Sequence, residues 1–159
     1  MNTKQYFSQM ASYERWVNES IFAWLESHPD QPVMRKVFTH LLADCVPWIH
    51  LLRGEEVPSS INTEPDWSLD VCRWQLKTIS ESLTQIVNSL SEEEFDSIIR
   101  SPGPNGLFFE NSIREILTGI FNHTEHHRGQ ILMLIDKEFG EYIPTTYFSY
   151  LRCLPVGVS

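Results

Sequence analysis

The chain is short of the residues that mark several protein classes. It holds three cysteines, Cys45, Cys72 and Cys153, an odd number, far apart and with no Cys-x-x-Cys pair. That usage argues against a disulfide framework and predicts reduced thiols in or near a core, in a reducing cytoplasm. Gly and Pro together number 16 of 159 residues and no segment is low in complexity, which excludes fibrous and disordered classes. Basic residues are scarce: 12 Lys+Arg against 21 Asp+Glu leave a formal charge of −9, with no Lys/Arg run. Phosphate backbones would repel such a chain, so direct binding to nucleic acid is not expected. No apolar run approaches the ~18 residues of a membrane span, and Met1 to Tyr6 carry no apolar signal core, so no membrane association is expected either.

What is present is helical periodicity over one domain, residues 1–159. At 42% hydrophobic residues the chain is long enough to bury a core without staples. Tyr6, Met10, Tyr13, Val17, Ile21 and Trp24 recur at three and four, predicting a first helix over residues 3 to 27 that stops at His28-Pro29. A second runs from Pro32 to Gly54 with Val37, Phe38, Leu41, Cys45, Trp48, Ile49 and Leu52 on its apolar face, kinked where Pro47 cannot donate to the Ala43 carbonyl. Residues 55 to 67 form a long loop. Cys72, Leu76, Ile79, Leu83, Ile86 and Leu90 then mark the seam of a third helix, about Ser68 to Leu90.

Residues 91 to 110 break the pattern around Ser101-Pro102-Gly103-Pro104-Asn105-Gly106, turn chemistry compatible with a short hairpin or a structured loop. Ser112-Ile113-Arg114-Glu115 has capping-box spacing and opens a fourth helix that closes at Phe139-Gly140. Residues 144 to 154 form a short last helix showing Tyr147, Phe148, Tyr150 and Leu151. The expectation is an all-α four-helix bundle with one long connection, a hairpin-like insertion before the fourth helix and a short C-terminal helix.

The chemical signal is on the fourth helix. Its inward stripe reads Ile113, Ile116, Ile120, His123, His127, Ile131, Leu134, with two imidazoles at positions the repeat assigns to the core. Residues four apart on a helix differ by about 40° in direction, so both rings reach one point. A divalent cation satisfies both acceptor nitrogens at once; the alternative is two core histidines bonded to buried carbonyls or waters. Glu125, about 200° round from His123, points away from such a site, unlike the Glu of the zinc-protease motif.

For a third ligand His40 is the best placed, on the Val37, Asp44, Trp48 edge of the second helix. His50 is offset from it by about 80°, His126 lies about 60° off the stripe, and His28 is at a helix end. Asp44, one turn beyond His40, is a fourth ligand, an acceptor for an imidazole N–H, or a solvated carboxylate. Gly129 inside the helix costs about 1 kcal/mol relative to Ala; it makes sense if a neighbouring backbone comes close and is otherwise a tolerated defect. Gln130 and Asn122 could orient an imidazole or a water, Arg128 could pair with a surface Glu or an acidic substrate, and Tyr13 and Trp16 fill core.

These residues resemble the DinB-like (damage-inducible, YfiT-like) family of metal-dependent proteins. The resemblance spans nearly the whole chain: Tyr13-x-x-Trp16-x-Asn18, His40, Trp48, Leu52-Arg53-Gly54-Glu55, Asn105-Gly106, and above all Asn122-His123-Thr124-Glu125-His126-His127-Arg128-Gly129-Gln130, similar to a His-x-x-x-His-Arg-Gly-Gln signature. The resemblance implies a four-helix bundle, often a homodimer, with a divalent metal held by His40, His123 and His127. Near Thr145-Thr146-Tyr147 the chain departs from relatives that carry an Asp there.

Three imidazoles would leave a coordination position open, and Zn or Ni is favoured, with Mn, Fe and Co also compatible. Two functions are then expected in turn. One is a metal-dependent thiol S-transferase, or hydrolase, acting on a small-molecule substrate with a low-molecular-weight thiol as co-substrate. The other is a non-catalytic metal-binding stress-response dimer. A metal-free bundle working through exposed Tyr147 and Tyr150 is the third reading.

Overall fold

The structure, a computed structural model, describes residues 1–58, 61–62 and 64–154, with Pro104 by its backbone alone. Asn2 caps the first helix, its side chain accepting from the Gln5 amide while Gln5 reaches back, and α1 runs Thr3–Ser27. Then come α2 (Pro32–Ala43), α3 (Cys45–Leu52) and α4 (Leu69–Ser89). A 3-10 turn (Glu93–Asp96) leads into strand β1 (Ile98–Pro102), which pairs antiparallel with β2 (Phe108–Ser112) before α5 (Ile113–Phe139) and α6 (Tyr147–Cys153).

The bundle is all-α apart from that two-stranded hairpin. The chain packs α1 mainly on α4 and α2 mainly on α5, around Val17, Ile21, Phe38, Leu41, Leu117 and Ile131, all essentially sealed from solvent. Phe95, on the 3-10 turn, stacks on Phe7 at 5.4 Å and seals one end. Among the described residues, no helix is long and apolar enough to cross a membrane.

The second predicted helix is two helices. Pro47 has no N–H to give the Ala43 carbonyl, and the chain turns at Asp44 and restarts at Cys45. The restart places Pro47 in the first turn of α3, where its missing donor costs nothing. The break therefore falls on the one carboxylate beside His40.

Of the predicted loop over 55 to 67, residues 59, 60 and 63 lie outside the described residues; the rest carries neither helix nor strand. The turn-rich stretch is a hairpin. Asn105 (φ 57°) and Gly106 (φ 74°) take the left-handed conformation in succession, and the Gly103 amide donates to the Leu107 carbonyl at 2.7 Å. Asn-Gly is the pair best able to hold that backbone. The register, Ile98 opposite Ser112 to Pro102 opposite Phe108, delivers the chain directly into the capping box of α5.

Of the two readings of Gly129 the structure favours the tolerated defect: among the described residues, a Cβ built there would meet nothing within 4 Å. Gly129 sits on the exposed side of α5 and is a tolerated helix-weakening residue. The cysteines are all unpaired, Cys45 and Cys72 buried as expected but Cys153 exposed. Nor is Tyr150 a surface aromatic. It is buried against Tyr13 and Trp16, while Tyr142 and Phe148 are the exposed rings of that segment.

A histidine and carboxylate cluster between α2 and α5

His40 at the end of α2, Asp44 at the break, and His123 and His127 on α5 each offer a donor atom, and these atoms lie within 4.8 Å of one another. His123 Nε2 is 2.7 Å from Asp44 Oδ2 and 3.1 Å from His127 Nε2; His40 Nε2 is 3.4 Å from the same Asp44 oxygen. Rings of three histidines from two helices meet nearly edge to face, with centroids 4.5 to 6.1 Å apart. The three histidines singled out in the sequence thus converge, and the open question about Asp44 resolves toward the cluster.

The surroundings differ from a core site. The buried line of α5 passes through Phe121, Thr124, Arg128, Ile131 and Ile135 rather than through both histidines. His127 is buried, but His123 has 43% of its side chain exposed. The stripe read from spacing was rotated by about one position, so the cluster lies at the rim of the bundle and is open to solvent.

The donor chemistry suits a divalent cation. Gln130 Oε1, which can only accept, is 2.8 Å from His127 Nδ1, so Nδ1 carries the proton and the lone pair of the neutral ring is on Nε2, facing the other donors. The Gln130 amide nitrogen is 3.3 Å from His126 Nε2, a contact compatible with that orientation of the amide. His126 therefore acts one step removed from the cluster. Burial, the strongest influence, and the neighbouring imidazoles hold His127 below the ordinary histidine range, keeping the neutral form a metal requires. A tetrahedral shell with bonds of about 2.0 Å separates its donors by roughly 3.3 Å, close to the spacings found here.

Gln130→Ala is expected to weaken divalent-metal affinity about 10- to 100-fold by freeing the His127 ring, without removing a donor. Isothermal titration of zinc into the variant measures this; unchanged affinity would mean Gln130 does not orient the ring.

Behind the cluster lies a polar network that sequence reasoning missed. Arg128 is 2% exposed, and its guanidinium donates to the surface Glu125 Oε2 at 2.5 Å, the kind of pairing read from the sequence, and to the buried Glu14 Oε2 at 2.6 Å, which was not. Thr124 Oγ1 also donates to Glu14 Oε2, at 2.8 Å. Burial pushes the Glu14 carboxyl above its usual range even against the pull of Arg128. The Tyr13 hydroxyl donates to the Thr145 carbonyl at 2.8 Å, and its burial raises it to about 12, so it stays protonated. Glu125 points away from the cluster, as its helical phase requires, and Asn122 is exposed. Glu14 lies 114 residues from Arg128 and carried no local signal.

Fold and cluster together define a class: helical bundles that gather three histidines and one carboxylate from two helices at an open rim. Within that class, the model of the DinB family matches residues 1–153, and the chain belongs to this family. It is similar to Protein DinB of Bacillus subtilis (strain 168), 19% identical over 158 residues that cover 90% of this chain and 92% of that protein.

Proposed function

We propose that this protein is a divalent-metal-dependent enzyme that transfers a thiol to a small electrophilic substrate, or hydrolyses one, with Zn or Ni as the favoured ion. The observation that carries the reading is the meeting of three imidazole nitrogens and one carboxylate oxygen within 4.8 Å, at an open rim. His40, His123 and His127 would hold the ion. A bound divalent cation supplies Lewis acidity, which makes a thiol or a water acidic enough to react near neutral pH. Asp44 Oδ2, 2.7 Å from His123 Nε2 and 3.4 Å from His40 Nε2, would receive that proton. In thiol transfer the sulfur then bonds to the electrophilic carbon, and the leaving group departs with its electron pair. Mn, Fe and Co fit the same donors.

One observation favours a second reading, a non-catalytic metal-binding stress-response dimer. If Asp44 is a fourth ligand, four protein donors close a tetrahedron and leave no position for substrate, as in structural sites. Both readings carry the homodimer that the family resemblance implies, and a reducing cytoplasm, with which unpaired Cys45, Cys72 and Cys153 agree.

Asp44→Asn separates the two. The enzymatic reading expects the variant to keep its metal, measured by elemental analysis, and to lose most activity with glutathione, bacillithiol or coenzyme A and an electrophile. Loss of the metal instead supports the closed site. A metal-loaded wild type inactive toward every thiol and electrophile pair, and toward ester and amide hydrolysis, would overturn the enzymatic reading.

A further inference from the structure

A cleft of about 610 Å³ lies between α3 and the hairpin and ends at the cluster. That volume is in the range of small-molecule sites. Pro47, Trp48 and Leu51 form one wall, Pro102 and Phe109 the other, and Asp44 and His123 stand at its end. Among the described residues, those two are the only ionisable ones lining it; no Lys or Arg does. An anionic group lodged between the walls would lose its hydration with no Lys or Arg along them to offset the cost, and would face the Asp44 carboxylate at the cluster end. Charged groups lie instead on the opposite side of the cluster, where Lys36 and Glu64 flank a notch of about 170 Å³ beside His40 and His127.

We propose that the cleft between α3 and the hairpin receives the uncharged aromatic or branched-aliphatic body of the substrate. This deepens the reading of the site given above and rests on it for the reacting end of the molecule. The apolar body needs only the walls.

Gly103 shapes the outer wall. A Cβ at this position would lie 2.5 Å from the Phe109 ring, closer than any real contact. The absent side chain lets the ring lie across the hairpin backbone and face the cleft. With half of its surface exposed, the ring can swing outward if pushed. Gly103 and Phe109 therefore set the width of the cleft, and neither offers a donor to the cluster.

The test uses the metal-free full-length protein and N-phenylnaphthylamine, a neutral aromatic fluorophore, so that its outcome is independent of metal binding. The expected result is saturable binding of one probe per chain. Gly103→Ala and Trp48→Ala are each expected to weaken it about tenfold, whereas Met133→Ala, exposed on the far stretch of α5, leaves it unchanged. The anionic analogue anilinonaphthalene sulfonate is expected to bind more weakly than the neutral probe. Non-saturable binding, indifference to both cleft variants, or preference for the anion would overturn the proposal. Circular dichroism and zinc titration of each variant report the fold and the cluster separately. Zinc bound without the probe therefore sinks the cleft alone, and probe bound without zinc sinks the metal reading alone.

Discussion

His123→Ala is expected to abolish tight divalent-metal binding while leaving the helical bundle formed. His123 Nε2 is the hub of the donor set, within 3.1 Å of both the Asp44 oxygen and His127 Nε2. Its removal leaves donors from α2 that meet α5 only at His127. The cost to the fold is small for a specific reason: the side chain is 43% exposed and packs no core, and alanine is the best helix former at that position. Elemental analysis after dialysis is expected to show wild type near one metal per chain and the variant near none, with unchanged far-ultraviolet circular dichroism. His127→Ala is expected to lose metal as well, but with a measurable stability loss, because that ring is buried. A His123→Ala variant with full metal content would remove this residue from the ligand set and with it the geometry on which the proposed function rests.

The sequence made the cluster's histidines legible because helix geometry converts an i, i+4 spacing into convergence without any knowledge of the partner helix. His40 was reachable by elimination among the other histidines and by family resemblance. The capping box at Ser112, the left-handed Gly140 and the Asn105-Gly106 turn were equally readable, since each is local chemistry that few other residues can replace. Periodicity was weakest where polar residues enter the core. Thr124 and Arg128 are polar and fall outside an apolar stripe although both are buried, so the stripe slid onto His123, and a rim site looked like an interior one. Pro47 announced a disturbance, but helix resumption depends on where the freed carbonyl falls; the chain broke at Asp44, which turned an undecided carboxylate into a member of the cluster.

Arg128→Met is expected to destabilise the protein by about 3–5 kcal/mol, the largest effect of any single substitution considered, although Arg128 touches no donor of the cluster. It leaves Glu14, 4% exposed, with the Thr124 hydroxyl as its remaining partner and Oε1 already without one. Breaking a buried pair from one side costs more than the pair contributes, because the surviving charge keeps its full desolvation penalty. Replacing both sides, Glu14→Leu with Arg128→Met, is therefore expected to recover most of the loss, and a double-mutant cycle from urea denaturation measures the coupling. The single variant carries a pH signature of definite sign. Burial already raises the Glu14 carboxyl in the wild type, and without Arg128 it rises further. The unfolded chain ionises Glu14 at about 4.3, so the variant's deficit is small below that pH and grows toward neutrality as the folded state resists ionisation. The pair ties α1 to α5 one residue beyond His127, so it also holds the helix that carries two of the three histidines. A deficit under about 1 kcal/mol, independent of pH and additive with Glu14→Leu, would mean that hydrophobic packing alone fixes α5 in place.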